Sequence, residues 1–448
     1  MAIDLPLSSG FDEVLFGRDG AEVRRSVLPG GIRLLTERDP NVRSVSLGLW
    51  LPVGSRDEES RHAGSTHVLE HLLFKGTRKR TALQIATAFD EIGGESNAIT
   101  AKEHTCYYGR VRSSDLPLAL DVLCDMVTSP AFAEDAYAME REVILEELAM
   151  AEDDPTDSGH EEFLRRVIGD NPLGRPVGGT PEIIRALDLE AVKQHYARHY
   201  APDNLVVTAV GDVDHDEVAD RLAQSLTEGG WELREGATPR PRRAAVAELS
   251  GQLALPGGTG AKLKHTRLAR DTEQTHVFVG GFGLSATDPR RNVLSTLQSI
   301  LGGGMSSRLF QKVREEKGLA YSVYSFGSGY RESGVFGLYA ACRPSRADEV
   351  ASLMVAELES MAQPGGVSAD EVRRSLGQMS GSLVLGLEDT ASRMARLGSA
   401  ELVHGKYRSV DEALQMIAAV EPQQVCDLAA LLAANINTRV DVGPAAKA

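Results

Sequence analysis

The stretch GSTHVLEHLLFKGT at residues 64–77 is the most informative part of this 448-residue chain. Its apolar residues predict a short, largely buried helix that is closed by Gly76. Side chains four positions apart lie on one face of a helix, so His67 and His71 can direct both imidazoles at one ion. Glu70 projects from nearly the same face. The alternative, two surface histidines beside a solvated glutamate, is disfavoured because buried imidazoles and carboxylates require partners.

This combination of side chains predicts metal-assisted hydrolysis. Two histidines that enclose a glutamate in an inverted HExxH pattern are typical of zinc peptidases. In such a site the histidines bind the ion, and the glutamate takes a proton from the attacking water. We therefore predict one zinc ion per chain, held by His67 and His71, with Glu70 as the general base. Manganese or cobalt is the alternative ion.

The third protein ligand is predicted on a later helix. A catalytic zinc usually takes three protein ligands and leaves one position open. In the helix predicted over 135–151, Glu140 and Glu147 share one stripe with Val143 and Ile144, which indicates a core-facing surface. A carboxylate on such a surface beside two histidines is a ligand or supports one. The pattern alone does not choose between the two glutamates.

The two motifs together resemble a known family. HVLEH followed by EREVILEEL is similar to the pitrilysin, insulin-degrading and mitochondrial processing peptidase family of inverted-motif zinc peptidases. In that family the third ligand is the glutamate one heptad after another required glutamate. The resemblance therefore implies that Glu147 is the ligand and Glu140 the supporting carboxylate. It also implies the short bacterial form, in which one chain is half of a clamshell.

A segment after the first motif is similar to the substrate-binding edge strand of the same family. Residues 93–108 read GGESNAITAKEHTCYY and predict a strand or hairpin. An edge strand binds an extended peptide through main-chain hydrogen bonds, so affinity tolerates many substrate sequences. The resemblance implies that substrate is bound by four consecutive residues, Asn97, Ala98, Ile99 and Thr100.

The second half carries further segments that are similar to the non-metal domain of this family. They read GGGMSSRLF at residues 302–310 and REEKGLAY at residues 314–321. The resemblance implies that Arg314 and Tyr321 orient the substrate or support the developing oxyanion. Without the resemblance, a surface ion pair would be the better explanation for Arg314.

Chain length and composition predict two domains of roughly 200 residues each. Residues 228–262 are rich in glycine and proline and carry a basic cluster, Arg240, Arg242 and Arg243, which we interpret as a solvated linker in preference to an interaction patch. The predicted domains are a metal-binding peptidase domain at 1–227 and a substrate-orienting domain at 263–448. Each is predicted as an α+β domain, a mixed β-sheet covered by helices.

The two predicted domains look homologous. In the first, a strand at 107–111 is followed by a helix at 116–127. In the second, a strand at 335–342 is followed by a helix at 347–361. The repeated order of elements indicates an internal duplication.

Charge and cysteine content exclude several classes of function. The formal net charge of −16 argues against nucleic acid and anionic membranes as partners. The four cysteines are scattered without a CxxC pair, which predicts no disulfide framework and a reducing compartment. Neither a signal peptide nor an apolar run of membrane-spanning length is recognised. We therefore expect a soluble, cytoplasmic protein.

These observations predict a zinc endopeptidase, and the family resemblance implies that it hydrolyses peptides or unfolded segments inside an enclosed chamber that a second chain completes. Since one chain carries both the metal motif and the Arg314/Tyr321 motif, a homodimer is expected to complete the chamber, with a heterodimer as the alternative. The first alternative function is a scaffolding or processing-complex subunit of the same fold that is active only with a partner chain. The second is a hydrolase of a non-peptide bond, which the edge-strand segment disfavours.

Overall fold

The structure of the chain is a computed structural model, and it describes residues 2–18, 20–246 and 263–445. Its strands are β1 (Ile3–Asp4), β2 (Asp12–Arg18), β3 (Ala21–Leu28), β4 (Ile32–Arg38), β5 (Ser44–Leu51), β6 (Glu95–Thr100), β7 (Thr105–Arg112), β8 (Val206–Gly211), β9 (Lys264–Ala269), β10 (Thr275–Gly283), β11 (Ala320–Gly329), β12 (Gly334–Cys342), β13 (Lys406–Tyr407) and β14 (Thr438–Gly443). Its helices are α1 (Ser65–Leu73), α2 (Ala82–Asp90), α3 (Leu116–Thr128), α4 (Glu134–Asp153), α5 (Pro155–Ile168), α6 (Pro181–Ala186), α7 (Leu189–His199), α8 (His215–Glu228), α9 (Arg291–Gly302), α10 (Ala347–Met361), α11 (Ala369–Gly386), α12 (Thr390–Ser399), α13 (Val410–Ala418) and α14 (Pro422–Ala433).

The chain forms two compact units, and each is assembled from separated stretches. The first unit comprises Met1–Leu148, Arg175–Arg243 and Val384–Ser409, and the second comprises Ala149–Gly174, Ala244–Leu383 and Val410–Ala448. These units differ from the continuous ranges 1–227 and 263–448 expected from the sequence. The difference arises because α5 packs on the sheet of the second unit and α12 on the sheet of the first. Sequence periodicity shows that a helix has an apolar face, but not which sheet that face covers.

The first unit is built on a mixed sheet. Its strand order is β2-β3-β4-β8-β5-β7-β6, in which β4 and β8 run parallel and the other neighbours antiparallel. Alternate residues of β5 point to opposite faces. Leu47 and Leu49 pack with α1, α3 and α8, whereas Trp50 packs with Met394 and Leu397 of α12. The sheet therefore has buried apolar residues on both faces, and β6 forms one of its edges.

The second unit is built on a smaller mixed sheet. Its strand order is β11-β12-β10-β14-β9, and β14 and β9 form the parallel pair. Helices α9, α10 and α14 share a core with Val277 and Val279 of β10. On the other face, Phe163 of α5 packs with Phe278 and Val440.

The strand orders of the two sheets confirm the predicted duplication. Five strands of the first unit are arranged β4-β8-β5-β7-β6, and those of the second are arranged β9-β14-β10-β12-β11. The positions correspond one to one in chain order, including the single parallel pair within each set. The predicted strand-then-helix pairs are β7 with α3 and β12 with α10. The fold is therefore α+β, with two homologous-looking units of mixed sheet and helices.

The arginine cluster of the predicted linker is ion-paired to the first unit, so the interpretation of these three arginines as a solvated linker was wrong. Three acidic side chains bind the three guanidinium groups. Arg242 pairs with the fully buried Glu401, and Arg243 contacts both oxygens of Asp57 at 2.6 Å. Arg240 pairs with Asp203. These partners lie far away in sequence, so composition could not reveal them. The remainder of the predicted linker, 247–262, lies outside the described residues.

Two further sequence expectations concern helices and cysteines. Among the described residues, no single helix has the length and apolar character of a membrane span; α13 and α14 meet these criteria only as a pair, bent by 79°. The four cysteines are all buried and none forms a disulfide, as their scattered positions predicted.

Candidate metal centre

Helix α1 presents His67, Glu70 and His71 together because its opposite face is anchored in the core. Val68, Leu69, Leu72 and Leu73 are almost fully buried. The side chains of His67 and His71 remain 22% and 16% exposed, and their ring centroids lie 4.7 Å apart. The spacing of four residues therefore brings the two imidazoles together, as the sequence predicted.

Helix α4 brings a carboxylate to these imidazoles. Oε2 of Glu147 lies 3.5 Å from Nε2 of His71 and 3.9 Å from Nε2 of His67. One ligand atom from each of the three residues lies within 4.8 Å of the others, and no other such group occurs in the described part of the chain. Zinc ligands at about 2.0–2.1 Å in a tetrahedron are separated by about 3.3 Å. The distances from Glu147 to the two histidines are slightly longer than this. The three side chains would therefore bind a zinc ion after a small movement toward one another.

Glu140 contacts one of the candidate metal ligands from behind. Its Oε2 is 3.0 Å from Nδ1 of His71, and its Oε1 is 2.8 Å from Nζ of Lys75. A carboxylate that holds the second nitrogen of a metal-binding histidine fixes the tautomer and the direction of the ring. Glu140 is 5% exposed, whereas the side chain of Glu147 is 47% exposed. Lys75 was missed by the sequence analysis, although it follows His71 by four residues on the motif itself.

The predicted core-facing stripe of α4 is only partly correct. Glu140 and Ile144 are buried, but Val143 is 44% exposed and Glu147 faces outward from the core. In the second half of α4, Ile144, Leu145 and Leu148 pack against the core, so the core-facing side of the helix is not the side that carries Val143 and Glu147.

The environment of His67 favours a neutral ring. Burial, with a smaller contribution from the neighbouring His71, lowers the pKa of His67 to about 4. A neutral imidazole is the form that binds a metal ion. Nδ1 of His67 is buried and has no hydrogen-bond partner among the described residues, in contrast to Nδ1 of His71.

Glu70 is held by a residue that was predicted to contact substrate. The hydroxyl of Thr100 donates a hydrogen bond to Oε2 of Glu70. Burial raises the pKa of Glu70, and the bond from Thr100 partly opposes that shift. A carboxylate with a raised pKa is better matched to proton transfer near neutral pH. The β-hairpin of β6 and β7 thus supports the centre directly.

The predicted substrate segment lies on the edge strand β6, and no strand of the described residues pairs with its outer side. Asn97 and Ile99 are exposed, whereas Ala98 is buried. Beside β6 lies a cavity of about 700 Å³ with an apolar floor that includes Ile85 and Phe89 of α2. An edge strand beside an apolar cavity suits an extended peptide with a protruding side chain.

Arg314 and Tyr321 belong to the second unit and contact one another. The guanidinium of Arg314 lies 4.3 Å from the ring centroid of Tyr321 and 4.6 Å from that of Phe310. Nη1 of Arg314 also donates a 3.0 Å hydrogen bond to the carbonyl of Tyr321. Tyr321 is 75% exposed. This stacking holds an aromatic side chain in solvent, which the sequence motif alone did not indicate.

Comparisons with known proteins match two consecutive ranges of the chain to one peptidase family. Residues 33–181 match the family described as insulinase (peptidase family M16), and residues 186–379 match the one described as peptidase M16 inactive domain. The chain is 49% identical to an uncharacterized zinc protease of Streptomyces coelicolor, over 90% of this chain and 85% of that protein. It is 45% identical to an uncharacterized zinc protease of Mycobacterium leprae, over 91% and 89%.

Two solved structures share the fold. A protease from Helicobacter pylori has a TM-score of 0.82 at 22% identity and covers 97% of this chain and 100% of its own. A peptidase M16 inactive domain from Pseudomonas fluorescens has a TM-score of 0.81 at 20% identity, over 95% and 98%.

Substituting each of the two α4 glutamates in turn should show which one binds the metal and which one supports a metal-binding histidine. Glu140→Gln removes a supporting carboxylate and should weaken zinc binding ~10–100-fold. Glu147→Gln removes a charged ligand and should weaken zinc binding by more than that range. Zinc dissociation constants from chelator competition measure the difference. Glu146→Gln, on the exposed face of the same helix, is the matched control. Equal loss of zinc in Glu147→Gln and Glu140→Gln would contradict the assignment of Glu147.

Proposed function

Since the chain belongs to peptidase family M16, we propose that it is a zinc-dependent endopeptidase that hydrolyses peptides or unfolded segments. The observation that carries this proposal is the convergence of His67, His71 and Glu147, with the carboxylate of Glu70 on the same helix face. Relatives that are 44–49% identical are named zinc proteases, which supports both the metal and the class of reaction.

The chain's own residues account for the steps of peptide hydrolysis. His67, His71 and Glu147 would hold the zinc ion, which when bound supplies a Lewis acid that polarises the scissile carbonyl and acidifies water. Oε1 of Glu70 accepts the proton of the attacking water while Thr100 holds Oε2 in place. The protonated carboxyl of Glu70 then donates that proton to the leaving amine.

Substrate binding is proposed along β6 and the cavity beside it. Main-chain groups of residues 97–100 would pair with an extended peptide, and one substrate side chain would enter the cavity above Ile85 and Phe89. Arg314 and Tyr321 would orient the substrate or support the developing oxyanion. This mode of binding selects for unfolded chain more strongly than for particular side chains.

The alternative of a scaffolding subunit draws on the description of residues 186–379 as an inactive domain. That range excludes His67, Glu70, His71 and Glu147, all of which lie in the range described as insulinase. A scaffolding role would not require the three candidate ligands to meet, yet His67, His71 and Glu147 converge on one point. We therefore favour the peptidase.

Cleavage of a mixed library of unstructured peptides tests the proposed function. The wild type should cleave it, and Glu70→Gln should cleave it ~10²–10⁴-fold more slowly because the general base is lost. Zinc content should be unchanged in this variant. Cleavage fragments identified by mass spectrometry would also define the preferred bonds. Equal cleavage by both proteins would exclude Glu70 as the base, and no cleavage by the zinc-loaded wild type would favour the scaffolding role.

We further propose a homodimer that encloses the substrate in a chamber, in the cytoplasm. A chamber would admit peptides and exclude folded proteins, and the four free cysteines suit a reducing compartment. Light scattering at micromolar concentration should give twice the mass of one chain. A monomer under these conditions would contradict the chamber, and full activity only after addition of another protein would indicate a heterodimer.

A further inference from the structure

The N-terminus of α1 requires an acceptor that its own cap does not supply. The first N–H groups of a helix lack partners within the helix, and a side-chain oxygen at the preceding residue commonly accepts from one of them. The residue before α1 is Gly64, with a φ of 97° and no side chain. Helix α1 carries His67, Glu70 and His71, so an unanchored first turn would affect the whole centre.

Glu58 supplies the missing acceptor from outside the helix. Its Oε2 accepts a hydrogen bond from the backbone N–H of Gly64, and its Oε1 accepts one from the N–H of Thr66, both at 2.7 Å. The residue is 6% exposed. Two bonds from one rigid carboxylate to donors two residues apart fix both the axial position and the rotation of the first turn. Burial raises the pKa of Glu58 to about 7, and the bonds from Thr66 and Gly64 oppose that shift because they favour the charged form.

Contacts around Glu58 keep this anchor in place. Arg175 donates from Nη2 to the carbonyl of Glu58 and from Nη1 to Oγ of Ser60, both at 3.0 Å. On the other side, a Cβ atom at Gly179 would come within 2.4 Å of the carbonyl oxygen of Ala63. The backbone before α1 is thus confined on two sides.

The two histidines of the centre differ in how their rings are held. His71 is fixed through its second nitrogen by Glu140. Nδ1 of His67 has no such partner among the described residues. Metal-binding histidines are usually oriented by an outer partner of this kind. The direction of the His67 ring therefore depends on the backbone of the first turn, in which Thr66 is bound by Glu58.

We propose that Glu58 is a positioning residue of the metal centre, which aligns His67 with His71 and Glu147 by anchoring the first turn of α1. This inference rests on the metal-binding role proposed above. The sequence around Glu58 carries no signal of this role, because the role depends on two hydrogen bonds from residues six and eight positions later.

Zinc titration of the full chain with two variants tests the role of Glu58. Glu58→Gln keeps the shape but presents an amide donor to one backbone N–H. Glu58→Asp keeps the charge but withdraws the carboxylate by about 1.5 Å, one carbon–carbon bond. Each should weaken zinc binding by ~10–100-fold. Glu59→Gln is the matched control, because Glu59 pairs with Arg61 at the surface and should bind zinc like the wild type.

The melting temperature of each metal-free variant separates positioning from general stability. A merely structural role would lower that temperature and leave the zinc affinity of the folded protein unchanged. Folded Glu58 variants that bind zinc within twofold of the wild type overturn the proposal, as does failure of both variants to fold. Absence of zinc binding in the wild type would instead remove the metal centre itself, so the two failures are distinguishable.

Discussion

Three carboxylates, from Glu70, Glu140 and Glu147, converge on two imidazoles, and the centre depends on how that negative charge is balanced. Lys75 pairs with Glu140. The charge of Glu147 contributes to the raised pKa of Glu70, after burial. Buried carboxylates near one another are costly unless a cation or a proton offsets them. A divalent ion between the imidazoles and Glu147 would relieve this repulsion.

The duplicated fold separates the proposed chemistry from the proposed substrate orientation. In the first unit the chain between β5 and β6 carries α1 and α2, and hence the inverted zinc motif. In the second unit the equivalent chain between β10 and β11 carries α9 and the segment with Arg314. Equivalent connections between strands therefore carry different groups. One carries the two imidazoles, and the other carries a guanidinium that stacks on a tyrosine. Solved relatives retain this fold at 20–22% identity.

Local spacing predicted the parts of the centre that lie on one helix. His67, Glu70 and His71 follow from a period of 3.6 residues, and so does the pairing of Glu140 with Glu147 on one face. The same period could not distinguish those two glutamates, because residues seven apart point in the same direction. Glu140 is buried and Glu147 is half exposed, and this difference depends on the tertiary packing around α4.

Longer-range contacts were the features that the sequence could not supply. The arginines of the expected linker looked solvated because their partners, Glu401 among them, are remote in the chain. Thr100 was expected to bind substrate, and its contact with Glu70 required the hairpin to fold against α1. The repeated strand-then-helix order was predictable because each strand and helix carries its own apolar pattern. The allocation of α5 and α12 was not, since either sheet could accept an apolar helix face.

The most direct measurement is zinc K-edge X-ray absorption of the purified chain loaded with one equivalent of zinc. Two histidines and a glutamate predict a first shell of nitrogen and oxygen at about 2.0–2.1 Å, with outer scattering from two imidazole rings and no sulfur. A sulfur shell at about 2.3 Å, or scattering from fewer than two imidazoles, would contradict the assignment of His67, His71 and Glu147 as the metal ligands.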